Sequence, residues 1–192
     1  MKVILRLPFL LVLLLAGLFS CRTTSSESEA VMSSNAAAAP ADSTIIYIVR
    51  HAEKDISNPD NQDPDLTEAG KARVEAFRAL MQGQQVDALF ATKYIRTQNT
   101  LKPLADERNL AITQYEAHDF NGLKTQILTN YSGKTVVVAG HSNTLLPIIE
   151  AFGGKRPVSD ISDHQYDYLF RLALAPDNGI AVKTAHFGTP AN

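Results

Sequence analysis

The chain has 192 residues, 18 Lys plus Arg against 20 Asp plus Glu, and one cysteine. That length suits one domain with an appendage, and a formal charge of −2 leaves no polybasic footprint for nucleic acid. A lone cysteine makes neither an internal disulfide nor a thiolate zinc cluster, while 45% hydrophobic residues is ordinary for a folded core.

The chain opens with Lys2 and Arg6 ahead of an apolar stretch, Phe9 to Phe19, interrupted only by Ala16 and Gly17. Eleven helical residues reach about 16 Å, roughly half a bilayer core, so the stretch is too short to cross a membrane. A positive start, a short apolar centre and small residues at its end form a secretory signal over residues 1–20. The signal runs into Leu18-Phe19-Ser20-Cys21, which resembles the bacterial lipobox. That resemblance implies cleavage before Cys21 and acylation of its new N-terminus, so lipid would hold the protein at a membrane. Removing the signal takes Lys2 and Arg6 from the 18 basic residues and none from the 20 acidic ones, leaving a charge of −4. Attachment would then rest on lipid alone. The expected location is the bacterial cell envelope, at the outer membrane or a periplasm-facing membrane.

Residues 21–43 are rich in Ser, Ala and Thr with almost no large apolar side chain, as expected for a flexible lipidated tether. Residues 44–192 form the folded domain. Ile45 to Val49 is a continuous β-branched run, expected for a strand covered on both faces. A helix follows Thr67, with Val74, Phe77, Leu80 and Met81 at helical spacing and Asp65 or Thr67 as its cap. A weaker strand covers Val86 to Ala91. The next helix spans Gln98 to Arg108, where Pro103 should kink it or mark a shifted start. A strand at Ala111 to Tyr115 and a helix at Leu123 to Tyr131 come next. Thr135 to Ala139 repeats the pattern of the first strand, and a helix runs from near Asn143 to Gly153-Gly154. Tyr166 to Ala173 and Ile180 to His186, joined through Pro176-Asp177-Asn178-Gly179, read as an antiparallel edge hairpin. The alternation predicts an α/β fold: a three-layer α/β/α sandwich around a mostly parallel sheet.

In such sheets ligands bind beyond the carboxyl ends of the strands, and those ends carry the chemistry here. The first strand ends in Arg50-His51 and the strand at 135–139 in Gly140-His141. Arg96 follows the strand that ends at Ala91-Thr92. Two arginines suit a multiply charged anion, and phosphate fits their planar fork; the helix start after His141 adds backbone donors. Asn143, at that start, is a further substrate-binding candidate. A histidine among fixed positive charges stays neutral. With no nucleophile-elbow serine and no Walker-type loop, His51 is the best nucleophile. The histidines lack the close spacing and carboxylate neighbours of a zinc site, so no metal is expected.

Four segments carry a family resemblance: Ile48-Val49-Arg50-His51-Ala52-Glu53-Lys54, Leu66-Thr67-Glu68-Ala69-Gly70, Ala91-Thr92-Lys93-Tyr94-Ile95-Arg96-Thr97-Gln98-Asn99-Thr100 and Val138-Ala139-Gly140-His141-Ser142-Asn143. In this order they resemble the histidine phosphatase superfamily, with its phosphoglycerate-mutase-like fold. Ala52 stands where the signature usually has Gly. The resemblance implies that His51 attacks phosphorus to give phosphohistidine, which water hydrolyses, while Arg50, Arg96 and His141 hold the non-bridging oxygens. It implies no cofactor, because fixed cations stand in for Mg²⁺. It also calls for a general acid near the segment Tyr115-Glu116-Ala117-His118-Asp119, where Asp119 and Glu116 are candidates, with Glu53 a third. His118, His164 and His186 read as surface or hairpin residues.

The function expected from these readings is hydrolysis of phosphomonoesters, on a small molecule or a phosphoprotein. The few residues between His51 and Thr67 leave little for a lid that would keep water from a phosphoenzyme. A mutase-type phosphotransferase and a catalytically weak, anion-binding envelope lipoprotein are the alternatives.

Overall fold

The computed structural model describes residues 42–190. The signal segment, Cys21 and nearly all of the tether lie outside them. Ten elements follow in chain order: β1 (Thr44–Arg50), α1 (Glu68–Leu80), β2 (Ala88–Ala91), α2 (Ile95–Arg108), β3 (Ile112–Gln114), α3 (Phe120–Asn130), β4 (Thr135–Gly140), α4 (Leu145–Ala151), β5 (Tyr168–Leu174) and β6 (Ile180–His186). The strands form one six-stranded sheet in the order β3-β2-β4-β1-β5-β6. The first four strands along it are parallel, and β5 and β6 close one side as an antiparallel hairpin.

Alternation along the central strands splits the core into two layers. Ile46, Ile48, Phe90, Val136 and Val138 face α3 and α4, meeting Leu123, Ile127, Leu145 and Ile149. Tyr47, Val49, Leu89, Val137 and Ala139 face the other way, against Phe77 of α1 and Leu101 and Leu104 of α2. Covering on both faces is why β1 and β4 are apolar at nearly every position.

Local chemistry sets the element ends. Thr67 caps α1 by accepting the Gly70 N–H at 3.0 Å; Asp65 instead accepts from its neighbour Leu66 and from Asn99. Helix α2 starts three residues before the expected Gln98, because Asp63, from a distant loop, accepts the Ile95 N–H at 3.0 Å. Pro103 consequently lies inside one helix rather than at a start, where it leaves the Asn99 carbonyl without its usual donor. Helix α4 begins at Leu145, two residues past the expected Asn143, because Thr144 turns its hydroxyl back to accept the His141 N–H at 2.8 Å. The turn between β5 and β6 forms at the expected residues, with Asn178 at a positive φ of 68°.

Parallel register carries this geometry to the site. Val49 pairs with Ala139 and Arg50 with Gly140, and the His51 N–H continues the ladder to the Gly140 carbonyl at 2.9 Å. His51 and His141 therefore leave adjacent strands side by side.

Candidate active site

A cavity of about 470 Å³ opens at the carboxyl edge of the parallel strands. Arg50, His51, Arg96, His141, Asn143, Glu116 and Asp119 all line it. Every candidate quoted from the strand ends and from the 115–119 segment thus meets in one place. Glu53 is the exception: it does not line this cavity.

His51 is buried, at 4% exposure, and its Nδ1 lies 2.8 Å from the Ala52 carbonyl oxygen. A carbonyl only accepts, so Nδ1 carries the ring proton and Nε2 keeps its lone pair. Burial, reinforced by Arg50, His141 and Arg96, lowers the His51 pKa to about 3 despite that hydrogen bond. The ring is therefore neutral near pH 7. Ala52 fits where the signature usually has Gly: it is buried against Leu66 and Val74, and its N–H donates to Thr100 Oγ1 at 2.9 Å.

Arg50 is also 4% exposed. Its Nη1 donates to the carbonyls of Ser162, Asp163 and Gln165 at 2.9–3.0 Å, and its guanidinium sits 4.0 Å over the Tyr166 ring. Arg96 stacks on Tyr94 at 4.3 Å and lies 3.5 Å from the Asp63 carboxylate. In both arginines Nε is buried without a hydrogen-bond partner. Both side chains line the cavity, where two guanidinium charges suit an anion.

His141 completes the floor. Its ring meets His51 edge-on at 5.4 Å and Tyr94 at 5.4 Å, and its Nε2 lies 3.1 Å from Thr92 Oγ1. Burial, then Arg96, Arg50, His118 and Lys54, lowers its pKa to about 4. Gly140 before it leaves no room for a side chain: a Cβ would lie 2.8 Å from Thr144 Oγ1 and 3.2 Å from the Tyr115 hydroxyl. The expected helix N-terminus directly after His141 is displaced. Ser142 and Asn143 form that wall, and α4 opens beyond them.

The carboxylates sort themselves. Asp119 caps α3, accepting the Gly122 N–H at 2.9 Å. The position before a helix that suggested an acid is equally an N-cap position. Glu116 is exposed at the rim. Glu53 instead grips the buried Arg73 through three contacts of 2.7–3.1 Å, and Arg73 also donates to the Phe187 and Thr189 carbonyls. Its role is to fasten the segment after His51 to the end of the described chain.

Sequence reasoning missed several neighbours. His118 is exposed, as read, and also lines the cavity, as do Lys54, Lys93, Tyr94 and Thr92. Tyr166 and Asp163 reach Arg50 from the link before β5, with no local signal to announce them.

Comparison with known proteins now bears on this geometry. Residues 46–119 match the family model described as the histidine phosphatase superfamily (branch 1). The superfamily match spans Arg50, His51, Arg96, Glu116 and Asp119 and stops before His141. A comparison with curated proteins finds no match. Among solved structures, the protein histidine phosphatase SixA complexed with tungstate aligns at TM-score 0.60 and 14% identity, over 74% of this chain and 96% of that one. YhfR of Bacillus stearothermophilus aligns at 0.59 and 16%, over 72% and 95%. SixA from Agrobacterium tumefaciens aligns at 0.58 and 21%, over 76% and 98%. These likenesses establish the phosphoglycerate-mutase-like fold.

Proposed function

We propose that this chain is a member of the histidine phosphatase superfamily that hydrolyses phosphomonoesters through a covalent phosphohistidine on His51. One observation carries the reading. A neutral histidine with its lone pair held on Nε2 shares a cavity with two arginines, Arg50 and Arg96. The superfamily match over residues 46–119 supports it.

His51 Nε2 attacks phosphorus, forming a P–N bond as the P–O bond to the alcohol breaks. The leaving oxygen takes a proton from the carboxylic acid of Glu116 or Asp119, both on the cavity wall. Water then attacks phosphorus and yields a proton to that same carboxylate, the P–N bond breaks with its electron pair returning to Nε2, and inorganic phosphate leaves. Arg50, Arg96 and His141 hold the non-bridging oxygens, with Asn143 beside them. Each such pre-placed donor contributes on the order of 3–4 kcal/mol to lowering the barrier. The two fixed arginine cations supply what a metal ion supplies elsewhere, so the reaction as proposed needs no cofactor. The open cavity accommodates a small phosphomonoester or a phosphorylated protein side chain, and it favours water over a second substrate as acceptor.

The lipobox-like Cys21 supports a further part of the reading: the mature protein is held by lipid at the bacterial cell envelope, with the domain reaching its substrate on the tether. The catalytic reading is tested with an aryl phosphate. Stoichiometric release of phosphate and phenol by the wild type, lost in His51→Ala, supports a phosphatase. Transfer to an added alcohol in place of release would point to a phosphotransferase, and binding without turnover to an anion-binding lipoprotein.

A further inference from the structure

Each site histidine meets a fixed partner through one ring nitrogen, and the partner of the second belongs to a chain of hydroxyls. Thr97 Oγ1 lies 2.8 Å from the Tyr94 carbonyl oxygen and 2.8 Å from Thr92 Oγ1. Each of these O···O contacts requires one proton between the atoms. The carbonyl has none to give, so Thr97 donates to Tyr94 and Thr92 donates to Thr97. The single hydroxyl proton of Thr92 is then committed. Thr92 can meet His141 Nε2, 3.1 Å away, only as an acceptor. Both threonines are almost completely buried, so water does not compete for these positions.

We propose that Thr92, oriented by Thr97, is a positioning residue that fixes His141 as its Nε2–H tautomer, leaving Nδ1 to meet the anion. This inference rests on the proposed function for its ligand, not for its geometry. A lone pair on Nδ1 repels a phosphoryl oxygen, whereas a proton there donates to it. A dianion that arrives without a proton is therefore captured with one drawn from solvent onto His141. His51 makes the complementary choice, Nδ1–H, and keeps its Nε2 lone pair for attack. The surroundings of His141 set the balance: burial and then Arg96, Arg50, His118 and Lys54 oppose the proton, and His51 and Tyr94 pack against the ring. The incoming dianion reverses it. Free His141 is neutral above about pH 4. Between that value and the higher pKa of the complex, affinity for a dianion should fall about tenfold per pH unit.

The test uses ¹⁵N-labelled protein and tungstate, which carries no proton near neutrality. Imidazole NMR of the ligand-free wild type at neutral pH should show His141 protonated on Nε2 alone, and tungstate should bring both nitrogens to the protonated pattern. Thr92→Ser should keep the wild-type signature. Thr92→Val should average the two tautomers and weaken tungstate binding by about threefold to tenfold. Thr97→Val frees the Thr92 proton to donate to Nε2 and should move His141 toward Nδ1–H, which separates a lost tautomer lock from general damage. An Nδ1–H tautomer in the wild type, or an unchanged signature in Thr92→Val, overturns the inference. Failure of the wild type to bind tungstate overturns the capture step together with the proposed function, while the tautomer signal still reports separately on Thr92.

Discussion

Replacing Glu53 with Ala separates two roles that its place beside the nucleophile invites. As a general acid it would matter to turnover and little to folding. The structure assigns it to a buried ion pair: Arg73 is 6% exposed and Glu53 23%, with three contacts between them. Removing one partner of such a pair typically destabilises by about 3–5 kcal/mol. Arg73 keeps its bonds to the Phe187 and Thr189 carbonyls, both at 2.8 Å, so the lower end, about 3 kcal/mol, is expected. At a urea slope of about 2 kcal/mol/M this lowers the midpoint by about 1.5 M. Urea unfolding and aryl-phosphate turnover would be measured on the same preparations, with turnover scaled to the folded fraction. Scaled turnover should fall less than about tenfold, because the Glu53 backbone contacts to Thr67 persist. An unchanged midpoint with turnover reduced about a hundredfold would refute this reasoning and return Glu53 to the acid role.

Arg96→Ala removes one guanidinium from the cavity wall and should lower kcat by on the order of a hundredfold to a thousandfold with little loss of stability, read by steady-state kinetics and thermal unfolding. The histidines couple stability to pH. In the folded state His51 has a pKa of about 3 and His141 of about 4, both depressed from 6.5. The unfolded chain therefore takes up protons first as pH falls below 6.5, and the stability these rings contribute at neutral pH is lost progressively toward about pH 3. His51→Gln should flatten the fall in unfolding free energy between about pH 6 and 4, and a slope equal to the wild type's would count against the depressed value. Cys21→Ser, expressed with its signal, should leave the membrane fraction for the soluble one; unchanged membrane association would remove the lipid anchor from the account.

Much of this architecture is legible without coordinates because it rests on repeated local signals. The apolar runs at 45–49 and 135–139 reveal strands covered on both faces, and their ends place Arg50, His51 and His141 on one sheet edge. What escapes is whatever depends on residues far apart in the chain. Asp63 starts α2 across a loop, and Tyr166 and the carbonyls of 162–165 hold Arg50 from more than a hundred residues away. The carboxylates show the limit most clearly. Glu53, Glu116 and Asp119 are chemically equivalent in sequence, and only their partners separate them: Arg73 for Glu53, the Gly122 N–H for Asp119. Thr92 and Thr97 stand inside a quoted motif, yet their link to His141 emerges only when β2 and β4 lie side by side.

The central claim is a covalent bond between His51 and phosphorus. Wild-type protein mixed with an aryl phosphate and quenched within milliseconds into alkaline denaturant, where phosphohistidine survives, would be analysed by peptide mass spectrometry. The account predicts phosphate on the peptide carrying His51, formed together with the phenol and before inorganic phosphate accumulates, and absent from His51→Ala. Full turnover with no modified His51 peptide, or labelling that persists in His51→Ala, would contradict it.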